Sequence, residues 1–148
     1  MNIGLLGFGV VGGGVWELAQ ENRALNVKKV LVRREAPSLG KAAVQDVEAI
    51  LRDTDIDTVV EVLGGLHPAY EWICQALAAG KDVVTANKAV ISAYYRELTA
   101  LAHENGAALR CTAAVGGGIP WLVNLQRCRR VDTVTEVGGI MNGTTNFI

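Results

Sequence analysis

The chain has 148 residues, which fits one domain able to bury about 70% of its unfolded surface. Half of the residues are apolar and 20% are charged, a composition that excludes a disordered chain. The net charge is −1 with both signs interspersed, so no electrostatic field favours nucleic acid or an anionic membrane.

Asn2–Leu6 is a short apolar run ending in glycine and predicts a strand. Val10–Glu21 has helical spacing, with Val11, Val15, Leu18 and Ala19 expected on its buried side. Val27–Val32 is β-rich, and Val47, Ile50 and Leu51 mark a short helix. Thr58–Leu63 predicts a buried strand stopped by Gly64-Gly65. Pro68–Ala79 predicts a helix with proline in its first turn and Gly80 just past its end. Asp82–Thr85 is a strand, and Ser92 is the expected cap of a helix reaching His103 or Glu104, closed by Gly106. Ala108–Ala113 is a strand, Gly116-Gly117-Gly118 a sharp loop, and Pro120 opens a helix through Leu125. Thr133–Met141 is a last extended segment, and Asn142-Gly143 a turn. Strands separated by helix-length segments imply βαβ units. The expected fold is therefore α/β, a Rossmann-type doubly wound and mainly parallel sheet with helices on both faces. Trp16, Trp72 and Trp121 each lie in an apolar helix, where core packing is the expected role.

Gly7-Phe8-Gly9-Val10-Val11-Gly12 fits G-x-G-x-x-G between a strand and a helix. The first glycine allows a tight turn, the second lets backbone approach a pyrophosphate, and the third lets helix and strand pack closely. The helix N-terminus then offers free N–H groups and partial positive charge to phosphates. About 20 residues on, an acidic residue usually holds the ribose 2′-hydroxyl of NAD. This chain has Val32-Arg33-Arg34-Glu35 there. Arginine's planar fork suits the 2′-phosphate of NADP, which is the expected cofactor, while Glu35 keeps NAD open.

In an open α/β sheet, ligands sit outside the carboxyl ends of the strands. Gly64-Gly65, Thr85-Ala86-Asn87-Lys88 and Val115 to Pro120 all fall there. Gly64 and Gly65 would let the backbone pass close to a dinucleotide. Lys88 is placed to polarise a carbonyl and donate a proton to a developing alkoxide. Cys74, Cys111 and Cys128 are odd in number and widely spaced, which suits neither a disulfide framework nor a zinc site. Reduced thiols in a cytoplasmic protein are expected. With a strand expected to open at Asn2, no targeting segment is expected. Ile3 to Trp16, the most apolar stretch, is too short to span a bilayer. His67 and His103 match no ligand spacing, and Arg127, Arg129 and Arg130 suit a solvated helix end.

Along nearly its whole length the chain resembles homoserine dehydrogenases. The shared segments are the glycine loop, Val30-Leu31-Val32-Arg33, Val60-Glu61-Val62-Leu63-Gly64-Gly65, the run from Ala79 to Lys88, Val115-Gly116-Gly117-Gly118-Ile119-Pro120, and Gly139 to Ile148. The glycine loop is generic; Thr85-Ala86-Asn87-Lys88 together with Asn142-Gly143-Thr144-Thr145-Asn146 is far more specific. The resemblance implies interconversion of L-homoserine and L-aspartate 4-semialdehyde with NADP or NAD, in amino-acid biosynthesis leading to threonine and methionine. It implies that Lys88 is one of two active-site lysines. The backbone of Thr85, Ala86 and Asn87, with Gly117, is then expected along the cofactor. Carbonyls of Val115 and Gly117 are expected to hold a monovalent cation such as Na+. Asn142-Gly143-Thr144-Thr145 would lie where the cofactor domain meets a substrate domain.

Thr112-Ala113-Ala114 departs from the Glu-Ala-Ser or Glu-Ala-Thr usual in that family, which puts the cation site in question. The family also continues beyond Ile148 into a substrate and dimerisation domain that supplies the second lysine. Residues 1–132 are thus expected to form the dinucleotide-binding domain, and 133–148 the start of the connection. A homodimer or larger homo-oligomer is expected of the longer enzyme, and cofactor binding without turnover of this chain. Two rivals remain. A glucose–fructose oxidoreductase type would usually carry Glu-Lys-Pro where this chain has Ala86-Asn87-Lys88-Ala89. A non-catalytic dinucleotide-binding module would bind without any parent activity.

Overall fold

The computed structural model describes residues 1–139. Six strands form one sheet, β1 (Asn2–Leu6), β2 (Asn26–Leu31), β3 (Ala43–Val44), β4 (Thr58–Glu61), β5 (Asp82–Thr85) and β6 (Leu109–Arg110). Their spatial order is β3-β2-β1-β4-β5-β6, and every neighbouring pair is parallel. The helices between them are α1 (Val10–Glu21), α2 (Glu48–Leu51), α3 (Ala69–Ala78), α4 (Lys88–Glu104) and α5 (Trp121–Cys128). Short 3-10 turns occupy Pro37–Ala42 and Thr112–Ala114. This is the expected doubly wound Rossmann arrangement, with the strand order reversing between β1 and β4.

Alternation along the strands divides the core into two layers. Leu6, Leu31, Val59 and Val83 pack with Ile50, Ile56, Ile73, Leu77, Val90 and Leu98. Their strand neighbours Leu5, Val30 and Val60 turn the other way, to Ile3, Ala19, Val27 and Leu39. The central strand β4 is buried at all of its positions, as a parallel strand covered on both faces must be. Close approach decides two further positions. A Cβ on Gly4 would lie 2.3 Å from Ile50 Cγ2, and one on Gly12 only 2.2 Å from the Gly7 carbonyl oxygen.

Gly12 also sets the face that α1 buries. Gly12 and Ala19 are buried, with Val15 and Trp16 packed against the same layer. Val11 and Leu18, expected on the buried side, are 55% and 64% exposed. The backbone contact at Gly12 rotates the helix away from the face its apolar residues suggest.

Other departures are local. Asn87, not Ser92, caps α4: its side-chain oxygen accepts from the Val90 N–H at 3.2 Å. The strand expected over Thr58–Leu63 ends at Glu61, where the chain turns toward Gly64 (φ 81°) and Gly65 (φ 76°). Of Ala108–Ala113 only Leu109–Arg110 pairs, because Thr112–Ala114 winds into a 3-10 turn. Helix α5 runs to Cys128, past the expected Leu125, and carries no buried residue. Residues 133–139 form no regular element, and the remainder of the expected Thr133–Met141 segment lies outside the described residues. So does Asn142-Gly143-Thr144-Thr145. No described helix is long and apolar enough to cross a membrane.

Lys81 is structural. It is buried at the amino end of β5, and its Nζ donates to the carbonyls of Asp53 at 2.6 Å and Ile56 at 2.7 Å, closing the turn before β4. The cysteines are free; burial pushes the Cys74 and Cys111 thiols up, so neither is a reactive thiolate at neutral pH.

Candidate functional site

A cleft of about 880 Å³ opens at the carboxyl ends of β1, β2 and β4. This is the edge at which the strand order reverses. Gly7, Phe8 and Gly9 form one wall, and Leu31 to Ala36 a second. Val62, Leu63 and Gly64 form the third, with Pro68, Trp72 and Gln45 at the margins.

The three motif glycines have separate reasons to be glycine. Gly7 sits at φ 108°, a conformation that side chains rarely adopt. Gly12 meets the Gly7 carbonyl, as above. Gly9 has open space where its Cβ would be, with no atom within 4 Å. Packing therefore does not require glycine at position 9, whereas close approach of a ligand to the backbone would. Gly9 is also the N-cap of α1, no side chain caps the helix, and its first turn has no acidic residue. The N–H groups of Val10, Val11 and Gly12 have no intrahelical partner, and the positive end of the helix dipole lies uncompensated at the loop. Val10 is 96% exposed there. A negatively charged group fits this loop.

Arg33 and Arg34 reach the same cleft from the end of β2. Both are exposed, and neither forms an ion pair among the described residues. Glu35 lines the cleft beside them. The remaining predicted residues lie outside this lining. Thr85 ends β5, and Ala86, Asn87 and Lys88 follow it at the same edge of the sheet. Thr85 and Asn87 are buried, whereas Lys88 is exposed as the first residue of α4. Gly65 follows Gly64 on the loop after β4. Val115 and Gly117 lie in the loop after the second 3-10 turn, with Gly117 at φ 58°.

A buried polar group lies behind the site, with no motif in the sequence to announce it. Glu61, the last residue of β4, is fully buried. Its Oε1 accepts from the Leu63 N–H at 2.8 Å and the Asn87 Nδ2 at 3.3 Å, and its Oε2 from the Thr85 hydroxyl at 2.5 Å. Asn87 Nδ2 also donates to the Gly65 carbonyl at 2.7 Å. The signal was a single carboxylate inside the apolar run Thr58–Leu63. Trp72, expected in the core, packs against one core layer and also lines the cleft. Gln45 carried no signal, because β3 before it is only two residues long.

Residues 7–112 match the homoserine dehydrogenase NAD-binding domain family. The chain belongs to that family. Homoserine dehydrogenase of Synechocystis sp. is 42% identical over 160 residues, covering 100% of this chain and 37% of the relative. That of Bacillus subtilis is 38% identical, with 100% and 37% covered. The crystal structure of a homoserine dehydrogenase from Thiobacillus denitrificans superposes with a TM-score of 0.79 at 37% identity, covering 85% of this chain and 32% of the other. A hyperthermophilic archaeal homoserine dehydrogenase in complex with NADPH gives 0.71 at 28% identity, covering 84% and 47%. The chain thus spans a little over a third of the curated relatives named here. As a member of this family it is an NAD(P)-binding domain of the Rossmann type.

Proposed function

We propose that this chain holds NADP(H), in preference to NAD(H), for a homoserine dehydrogenase that interconverts L-aspartate 4-semialdehyde and L-homoserine. The observation carrying the reading is one cleft that joins the open Gly9 backbone and uncapped start of α1 to two arginines that form no ion pair among the described residues. The pyrophosphate is held by the N–H groups at the start of α1, and the 2′-phosphate by Arg33 and Arg34. Backbone at Gly64, Gly65, Thr85, Ala86, Asn87 and Gly117 borders the nicotinamide half. When bound, the cofactor supplies a hydride to the aldehyde carbon of the substrate.

Lys88 stabilises the oxygen that becomes an alkoxide and delivers a proton to it, sharing that work with a second lysine outside this chain. A lysine at the first position of a helix opposes the helix dipole, so its placement is poor for stability. The same dipole supports charge building on a nearby oxygen. Carbonyls of Val115 and Gly117 would hold a monovalent cation such as Na+. They are neutral donors, and Thr112 adds no carboxylate, so binding there is weak.

Residues 1–132 form the cofactor unit, and 133–148 begin the connection to a substrate and dimerisation domain. The longer enzyme is a homodimer or larger homo-oligomer, cytoplasmic, and works in threonine and methionine biosynthesis. The experiment is a paired assay of the purified chain: dinucleotide titration, and reduction of aspartate semialdehyde. Binding without turnover is the expected result. Sustained turnover by this chain alone would contradict the division of the active site between two domains.

A further inference from the structure

We propose that Glu61 is a positioning residue that fixes the two loops bordering the nicotinamide half of the cleft, and through them the start of the helix carrying Lys88. The inference rests on the reading that this edge of the sheet takes a dinucleotide.

Fold stability is a poor reason for a carboxylate at this position. Val59 and Val60, just before it, show that β4 accepts apolar side chains on both faces. A fully buried carboxylate bonded only to neutral donors carries a desolvation penalty that an apolar residue avoids. No ion pair reaches Glu61 among the described residues.

What the carboxylate provides is one acceptor shared by two loops. Oε1 takes the Leu63 N–H from the loop after β4 and the Asn87 Nδ2 from the turn after β5, and Oε2 takes the hydroxyl of Thr85 at the end of β5. The connections extend outward. The Thr85 hydroxyl oxygen accepts the Asn87 N–H at 3.0 Å, and Asn87 spans from the Gly65 carbonyl to the Val90 N–H at the start of α4. Glu61 and Thr85 are fully buried and Asn87 is 4% exposed, so these side chains act by placing backbone. In a fold built of two mononucleotide-binding halves, β1 and β2 serve the adenosine end, and β4 and β5 serve the other. Disturbing Glu61 therefore weakens recognition of one half of the ligand only.

The test uses the 148-residue chain with two probes, NADPH and adenosine 2′,5′-bisphosphate, which carries the adenosine half alone. Glu61→Gln keeps the shape but turns an N–H₂ or loses an acceptor toward one donor. It is expected to weaken NADPH about tenfold and the bisphosphate by less than about twofold. Thr85→Val removes one donor and should give the same split, whereas Thr85→Ser, which keeps the hydroxyl, should restore much of the NADPH affinity. A purely structural role would lower the melting temperature without separating the two ligands. Equal loss of both ligands, or undiminished NADPH binding by folded Glu61→Gln, overturns the inference. Should Glu61→Gln fail to fold, the Thr85→Val and Thr85→Ser pair decides by the same criterion. An unmutated chain that binds neither probe overturns the dinucleotide reading and this inference with it.

Discussion

Arg33 and Arg34 contribute to no ion pair among the described residues, so replacing them removes little from the folded protein. Their effect belongs to the ligand. Charge-assisted hydrogen bonds to a 2′-phosphate are worth roughly 1.5–3 kcal/mol, or about 10- to 100-fold in affinity. The double variant Arg33→Ala, Arg34→Ala is expected to lose its preference for NADPH over NADH while keeping its melting temperature. Calorimetric titration of both cofactors checks it, and equal or tighter NADH binding by the unmutated chain contradicts it. Lys88 makes a two-sided prediction. Relieving its clash with the helix dipole, Lys88→Ala should stabilise this chain by about 0.3–1 kcal/mol, seen as a melting temperature raised by about 1–3 °C. In the longer enzyme the same change should lower kcat by about 10²–10⁴-fold with cofactor affinity nearly unchanged. A fall in kcat of less than about threefold would leave Lys88 a solvated charge.

Among the elements, the amino end of the sheet is independent of the site and reports on stability alone. Asp57 precedes β4, and its carboxylate accepts the Asn2 N–H at 2.8 Å and the Thr58 hydroxyl at 2.7 Å, tying β1 to β4. The bond from Asn2 holds its carboxyl below the ordinary value of 3.8, against partial burial. A group whose folded pKa is depressed contributes stability above its unfolded pKa and loses it as pH falls through the folded value. The melting temperatures of the unmutated chain and of Asp57→Asn should therefore differ at neutral pH and converge below about pH 4. Parallel curves down to pH 3 would show that Asp57 does not titrate with folding. The elements were largely legible in the sequence because their signals are local. β1, α1 and β5 begin and end where the apolar runs and glycines place them. The cap of α4 was not, since Asn87 and Ser92 are both good capping residues and only the burial of Thr85 and Asn87 decides between them. The face of α1 was hidden for a similar reason. It is set by backbone contact between Gly12 and Gly7, which leaves the apolar Val11 and Leu18 outside.

At the scale of the whole molecule, the candidate site splits between what a motif announces and what the fold assembles. Gly7, Gly9 and the arginines after β2 could be read from spacing and then meet in one cleft. The Glu61 network could not, because its partners are Leu63 beside it and Thr85 and Asn87 more than 20 positions on, joined only by the parallel pairing of β4 with β5. On the proposed function, the glycine loop exists to let a dinucleotide approach the backbone. That role is tested most directly by NADPH titration of the unmutated chain against Gly9→Val, each with a thermal melt. No atom lies within 4 Å of a Cβ at position 9, so the variant should melt within about 2 °C of the parent. Its side chain would fill the place of the pyrophosphate, and NADPH binding should be abolished. Unchanged NADPH affinity in a folded Gly9→Val chain, or no NADPH binding by the unmutated chain, would contradict the account.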